Sequence, residues 1–184
     1  TQVDRFQEIQ RSLQELAKKD VLIGIPQETS SGQRNDDAIN NAELAYIHTH
    51  GIRKKQMRQE MQGNIDNGMP YSQAYQMYIQ ANGSPLWHSP PRPIIEPAIE
   101  AHREELAELL REALENALDN RPFIISLKKA GMKGQNVTRA WFTDPRNGWA
   151  PNSPITIAQK GSERPLIDTG ELRKSITYVI RDKE

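Results

Sequence analysis

Asp168, Thr169 and Gly170 stand in order behind Leu166 and Ile167, and aspartic proteases carry their catalytic carboxylate in that tripeptide after an apolar strand. The chemistry needs a second carboxylate alongside, so that acid and base roles can be divided. No other Asp-Thr-Gly exists in the chain, and the 14 residues after Gly170 are too few for the flap and remaining cleft strands of a retroviral-type enzyme. An aspartic protease acting through Asp168 would therefore need a second copy of the chain. The tripeptide also has a structural use. Asp168 as N-cap with Glu171 three residues on makes a capping-box-like pair that starts a short turn of helix, and Gly170 adds backbone freedom there.

The other candidates for chemistry thin out on spacing. His48 and His50 are two residues apart, so on a helix they face different ways and cannot clamp a metal as an i, i+4 pair would. His88 and His102 lack a carboxylate at informative spacing. The acidic run from Glu100 to Glu115 is interleaved with Arg103 and Arg111, as on a solvated helix face. No phosphate loop, dinucleotide fingerprint or Gly-x-Ser-x-Gly elbow is present. These patterns imply no enzyme, no cofactor and no metal. Two basic clusters are candidate contacts for DNA: Arg53, Lys54, Lys55 and Arg58, then Lys128, Lys129 and Lys133, with Arg139 near Trp141.

Composition bounds the rest. Lys plus Arg and Asp plus Glu number 24 each, so the whole molecule has no electrostatic case for nucleic acid or acidic membrane, and any such patch is local. Cysteine is absent, which excludes disulfides, thiolate nucleophiles and Cys-based zinc sites. No apolar run reaches the ~20 residues of a membrane span, and the N-terminal segment mixes charges unlike a signal peptide. At 184 residues one domain with a real core is the expectation.

The elements that would position these residues are helices and two strands. Val3, Phe6, Ile9, Leu13 and Leu16 recur at helical spacing. "VLIGIP" predicts a short strand, 27–37 a polar loop, and Ile39, Ala42, Ala45 and Tyr46 a helix stopped by Gly51. Residues 52–85, rich in Gln, Asn, Gly and Met, predict an inserted, protruding element with a helix from Pro70 to Asn82. Its methionines and tyrosines suggest an adaptable contact surface. One long amphipathic helix is expected through Ile99, Leu106, Leu109, Leu110, Ala113, Leu114, Ala117 and Leu118. Another spans Pro122 to Phe142, interrupted by Gly131 and Gly134. Ser153, Pro154 and Gly161 cap, start and stop a short helix. "SITYVI" is the second strand. The sum is one α+β domain over 1–184, with a small antiparallel sheet packed on helices. Two strands alone are marginal in water, so helices must cover them and a neighbouring subunit extend them.

Four stretches, "VLIGIP", "AELAYIHTHG", "PPRPIIEPAIEAHREEL" and "APNSPITIAQKGSERPLIDTGELRKSITYVI", resemble in this order a family of small virion morphogenesis proteins of long-tailed bacteriophages, the neck and tail-completion proteins that join head to tail. The resemblance covers most of the chain outside Arg53 to Pro85, where family members pass through a shorter loop. It implies a ring-forming subunit, most often hexameric, acting as a tail-completion or tail-terminator-type protein. It implies assembly in the bacterial host cytoplasm and residence in the virion at the head-tail junction. Connector or adaptor proteins and tail-tube proteins would be its partners, and genome DNA would pass through the lumen. The assembly residues it suggests are Arg92, Pro93, Trp149, Pro154, Lys160, Arg164, Pro165, Asp168, Thr169 and Gly170. A DNA-contacting head-tail adaptor is the alternative.

Overall fold

A computed structural model describes residues 2–26, 40–83 and 86–183. The polar stretch 27–37 and Ile39 lie outside the described residues. The fold is helix-rich, with 63% of residues in helices and a small antiparallel set of strands, which places it among α+β proteins. No described helix is long and apolar enough to cross a membrane. The chain forms two compact units: Thr1–Glu43 with Ile94–Glu184, and Leu44–Pro93. The second unit takes in the 52–85 segment and most of the helix before it.

In the first unit, α1 (Gln2–Ala17) runs into β1 (Lys19–Gly24), and β4 (Thr177–Asp182) returns at the other end of the chain to pair with it antiparallel. The strand begins two residues earlier than its apolar run. Lys19 and Asp20 lie opposite Asp182 and Arg181, and the Lys19 ammonium sits 2.7 Å from the Asp182 carboxylate. Pairing thus recruits charged residues that apolar alternation does not mark.

The sheet rests on α7 (Ile124–Trp141), which runs unbroken through Gly131 and Gly134. Both glycines are packing positions. A Cβ on Gly131 would lie 2.2 Å from the Tyr178 ring, and one on Gly134 2.4 Å from Ile23 Cδ1. Tyr178 and Ile23 are register partners on one face of the sheet, so the two missing side chains let sheet and helix approach. The far end of α7 is clamped reciprocally. Arg139 donates to the carbonyls of Ile176 (2.9 Å) and Lys174 (2.8 Å), and Arg173 donates back to the Arg139 carbonyl (2.7 Å). Arg139 is therefore a structural clamp within its own unit.

The long amphipathic helix is two helices, α5 (Ile95–Ala101) and α6 (Arg103–Leu118), broken at His102, whose φ of −120° leaves the helical region. Its apolar stripe is also divided. Leu106, Ala113 and Ala117 are buried, whereas Leu110, Leu114 and Leu118 are exposed, a width that one helix cannot bury on one side.

Residues 154–182 finish the unit. The Ser153 hydroxyl accepts from Thr156 N–H at 3.2 Å, Pro154 opens α8 (Pro154–Lys160), and Gly161 stops it in the left-handed region. The cap before α9 (Glu171–Ser175) is Gly170, at φ 78°, and no side chain caps that helix. The Asp168 capping box is thus corrected. Asp168 is exposed, and its carboxylate has no hydrogen-bond partner among the described residues. At that turn the Glu171 N–H makes a longer contact to Thr169 Oγ1, 3.4 Å. The physical reason is position: the chain turns into α9 at Gly170, two residues after the carboxylate, because only glycine takes that backbone conformation without strain.

The second unit contains α2 (Asn41–His50, from Leu44 on), α3 (Lys55–Asp66) and α4 (Tyr71–Asn82), with a two-stranded sheet of β2 (Ile52–Arg53) and β3 (Trp87–Ser89). Neither this sheet nor α3 was apparent from sequence periodicity. Met57, Met61, Ala74 and Tyr78 form its buried core, joined by Ile65, Met69, Tyr75, Ile79 and Leu86. The methionines expected to form a contact surface are mostly this core, while Tyr71 and Met77 stay exposed.

Candidate assembly surface

The strands β1 and β4 are each other's only partners among the described residues, so each has an outer edge that no other described strand pairs with. Leu22 and Val179 face one another on the side away from α7 and are 40% and 42% exposed. A groove of about 560 Å³ runs over that side, lined by Leu22, Ile25, Pro26, Thr177, Val179 and Arg181. On the α7 side, an apolar groove of about 340 Å³ opens between Val21, Ile23, Leu106, Leu110 and Ala130, with Arg103 at its margin. An open strand edge offers unpaired N–H and C=O groups, and apolar side chains on both faces make that edge a template for another strand. Neither groove brings together titratable side chains suited to catalysis, and the described residues contain no group of three or more metal-ligating side chains.

The residues suggested by the motifs are placed otherwise. Arg92 is buried, its N–H donates to the His48 carbonyl at 2.7 Å, and desolvation lowers its pKa from the usual arginine value. Pro93 beside it is half-buried. Trp149 packs edge-on against Phe142, ring centroids 5.6 Å apart. Lys160 donates to the Arg164 carbonyl, Arg164 N–H donates to Ser162, and Asn152 donates to the Glu163 carbonyl. Lys160, Arg164 and Pro165 therefore shape a local loop. Of the suggested assembly residues in this stretch, Pro154, Arg164, Asp168 and Thr169 are exposed, and beside them Ile155 is 72% exposed. Ile155, Leu22 and Val179 escaped the sequence reading because a large apolar residue at helical or strand spacing signals core until its neighbours are known.

The basic clusters are also divided. Arg53 is sandwiched between the Trp87 ring at 3.4 Å and the Tyr75 ring at 4.6 Å, a stacked arrangement that removes it from the surface set. Lys54, Lys55 and Arg58 are exposed at the start of α3, whose first turn carries no acidic residue. Lys129 pairs with Glu112 at 2.7 Å and Lys133 with Glu105, tying α7 to α6. Lys128 is exposed.

These pairs make a pH prediction. Hydrogen bonds from Lys133 and then His102 hold the Glu105 carboxyl at about 2, below its ordinary 4.5. Hydrogen bonds from the Arg146 side chain and backbone hold Asp144 at about 2, below 3.8. A depressed carboxyl contributes stability above its unfolded value and loses it as pH falls toward the folded one. The melting temperature is expected to fall between about pH 4.5 and about pH 2, and Glu105→Gln should make that fall shallower. An unchanged acid slope in Glu105→Gln would show that the α6–α7 pair contributes nothing.

Comparison of the chain with protein-family models, with curated proteins and with solved structures returned no match.

Proposed function

We propose that this protein is a structural subunit of a bacteriophage particle, acting in the neck where head and tail join, through a sheet completed by neighbouring copies. The observation that carries the reading is the two-stranded sheet whose outer edges no other described strand pairs with, and Leu22 and Val179 exposed across from each other. The four stretches resembling neck and tail-completion proteins, "APNSPITIAQKGSERPLIDTGELRKSITYVI" above all, supply its biological context. In this role the protein is not an enzyme and needs no cofactor. It works by geometry, with copies closing into a ring, a hexamer by family resemblance, whose faces meet connector and tail and whose lumen passes DNA.

Sedimentation tests this directly. Purified protein at micromolar concentration is expected to form a closed oligomer, by itself or on meeting its neck partner. Leu22→Lys combined with Val179→Glu keeps an attractive cross-strand pair within the monomer and is expected to fold normally while failing to oligomerise. A chain that stays monomeric even within the particle containing it would overturn the proposal.

One observation favours the adaptor reading: Lys54, Lys55 and Arg58 are exposed together, in a unit with five Lys and Arg (Arg53, Lys54, Lys55, Arg58, Arg92) against two acids, Glu60 and Asp66. DNA affinity that falls steeply with salt, and flattens when those three are replaced by Gln, would assign the protein a direct grip on the genome.

A further inference from the structure

A single residue makes the bend between α5 and α6, and both nitrogens of its ring are engaged. His102 Nδ1 lies 2.8 Å from Glu105 Oε1, one turn along α6, so the histidine does have a near carboxylate, contrary to the expectation from spacing. Its Nε2 lies 3.3 Å from a terminal nitrogen of Arg146, in the 3₁₀ turn Pro145–Asn147 that follows α7. A guanidinium has only donors and an ionised carboxylate only acceptors. The two contacts therefore assign the proton: Nδ1 carries it and donates to Glu105, while the Nε2 lone pair accepts from Arg146.

Arg146 is aimed at this acceptor by groups of its own turn. Its Nε and terminal nitrogen fork onto Asp144 at 3.0 and 2.6 Å, and the guanidinium lies 5.7 Å from the Trp141 ring centroid. From α7, Lys133 binds the second Glu105 oxygen. On the helices that His102 joins, Glu100 and Arg103 pair with each other at 3.5 Å. Glu105 and Asp144 thus balance Lys133 and Arg146 around a neutral ring. The His102 side chain is 20% exposed, open enough to exchange a proton with water and covered enough that its two partners are set.

We propose that His102 is a pH-operated latch between the α5–α6 bend and the turn after α7. Neutral, it receives Arg146 and ties Asp144–Gly148 down. Protonated, its Nε2 becomes a second donor facing the Arg146 donors, and that tie opens, while the Nδ1–H bond to Glu105 becomes charge-assisted and keeps the ring on α6. Histidine is the side chain whose charge ordinarily changes between about pH 5 and 8, and Glu105 and Asp144, held at about 2, stay ionised there. Trp149 feels the release, because its N–H donates to Asn147 Oδ1, and Asn147 in turn donates to the Trp141 carbonyl. The latch does not depend on the assembly role.

Imidazole nitrogen shifts of the full chain, followed as the pH is lowered from about 7.5, should show His102 protonated on Nδ1 alone, the tautomer less common for free histidine, until the ring takes its second proton. Amide exchange of residues 146–149, normalised to intrinsic rates, should quicken several-fold as that second proton binds. His102→Gln places an amide oxygen near the Nε2 position, where it accepts from Arg146 whatever the pH, so this variant should keep the turn protected throughout. Nε2 protonation at the higher pH, a flat wild-type exchange profile, or an equal pH response in His102→Gln would each overturn the latch. The tautomer measurement decides the matter on the unaltered protein even if the variant fails to fold.

Discussion

Gly131→Val is expected to destabilise the protein by about 3 kcal/mol, the cost of forcing bulk into a filled helix–sheet contact. Its first added carbon would meet three Tyr178 ring atoms at 2.2, 2.7 and 2.8 Å. A ring flanked by strand neighbours cannot swing clear as a flexible chain end does. Helix propensity acts in the opposite direction, since glycine in a helix interior is about 1 kcal/mol worse than alanine. Gly131→Ala therefore sets the two effects against each other, and the clash should win. Gly63 in α3 supplies the control, because nothing lies within 4 Å of an added Cβ. Gly63→Ala should stabilise by about 0.5–1 kcal/mol. Urea unfolding of the three variants separates the effects, and Gly131→Ala as favourable as Gly63→Ala would mean that the sheet does not rest where the structure puts it.

Met57→Ala should cost about 2–5 kcal/mol, the range for emptying a buried methionine site. Met57 is fully buried at the centre of the second unit, which spans only 50 residues, 44 to 93. A core that small has little stability in reserve. The expected consequence is local: amides of α3 and α4 lose exchange protection while those around Ala130 and Val137 in α7 keep theirs. Simultaneous loss of protection in both places would instead show one cooperative structure, and would make residues 52–85 part of the core on which the sheet depends.

The sequence by itself determined whatever depends on a few consecutive residues. Ser153, Pro154 and Gly161 cap, start and stop α8 because hydroxyl, fixed φ and left-handed freedom act within one turn. The helical spacing of α1 and the alternation near both chain ends were legible for the same reason, and so was the antiparallel pairing of two strands with no closer partner. Tertiary structure decided the rest. Gly131 and Gly134 read as helix-breakers until a sheet lies on them, because propensity measures a glycine against water and packing measures it against Tyr178 and Ile23. The α6 stripe does not say which leucines face inward, since that depends on where α1 and α7 approach. Arg139 passes for a surface cation because the carbonyls it binds lie 35 and 37 residues away. Asp168 shows the limit most plainly for the candidate site. Its spacing to Glu171 fits a cap, but one left-handed backbone angle at Gly170 sets where α9 begins. Sheet edges that no other described strand pairs with were foreseeable from a shortage of strands. Which apolar side chains stand on them, Leu22 and Val179, followed only from the face that α7 covers, because strand alternation marks two faces without saying which is buried.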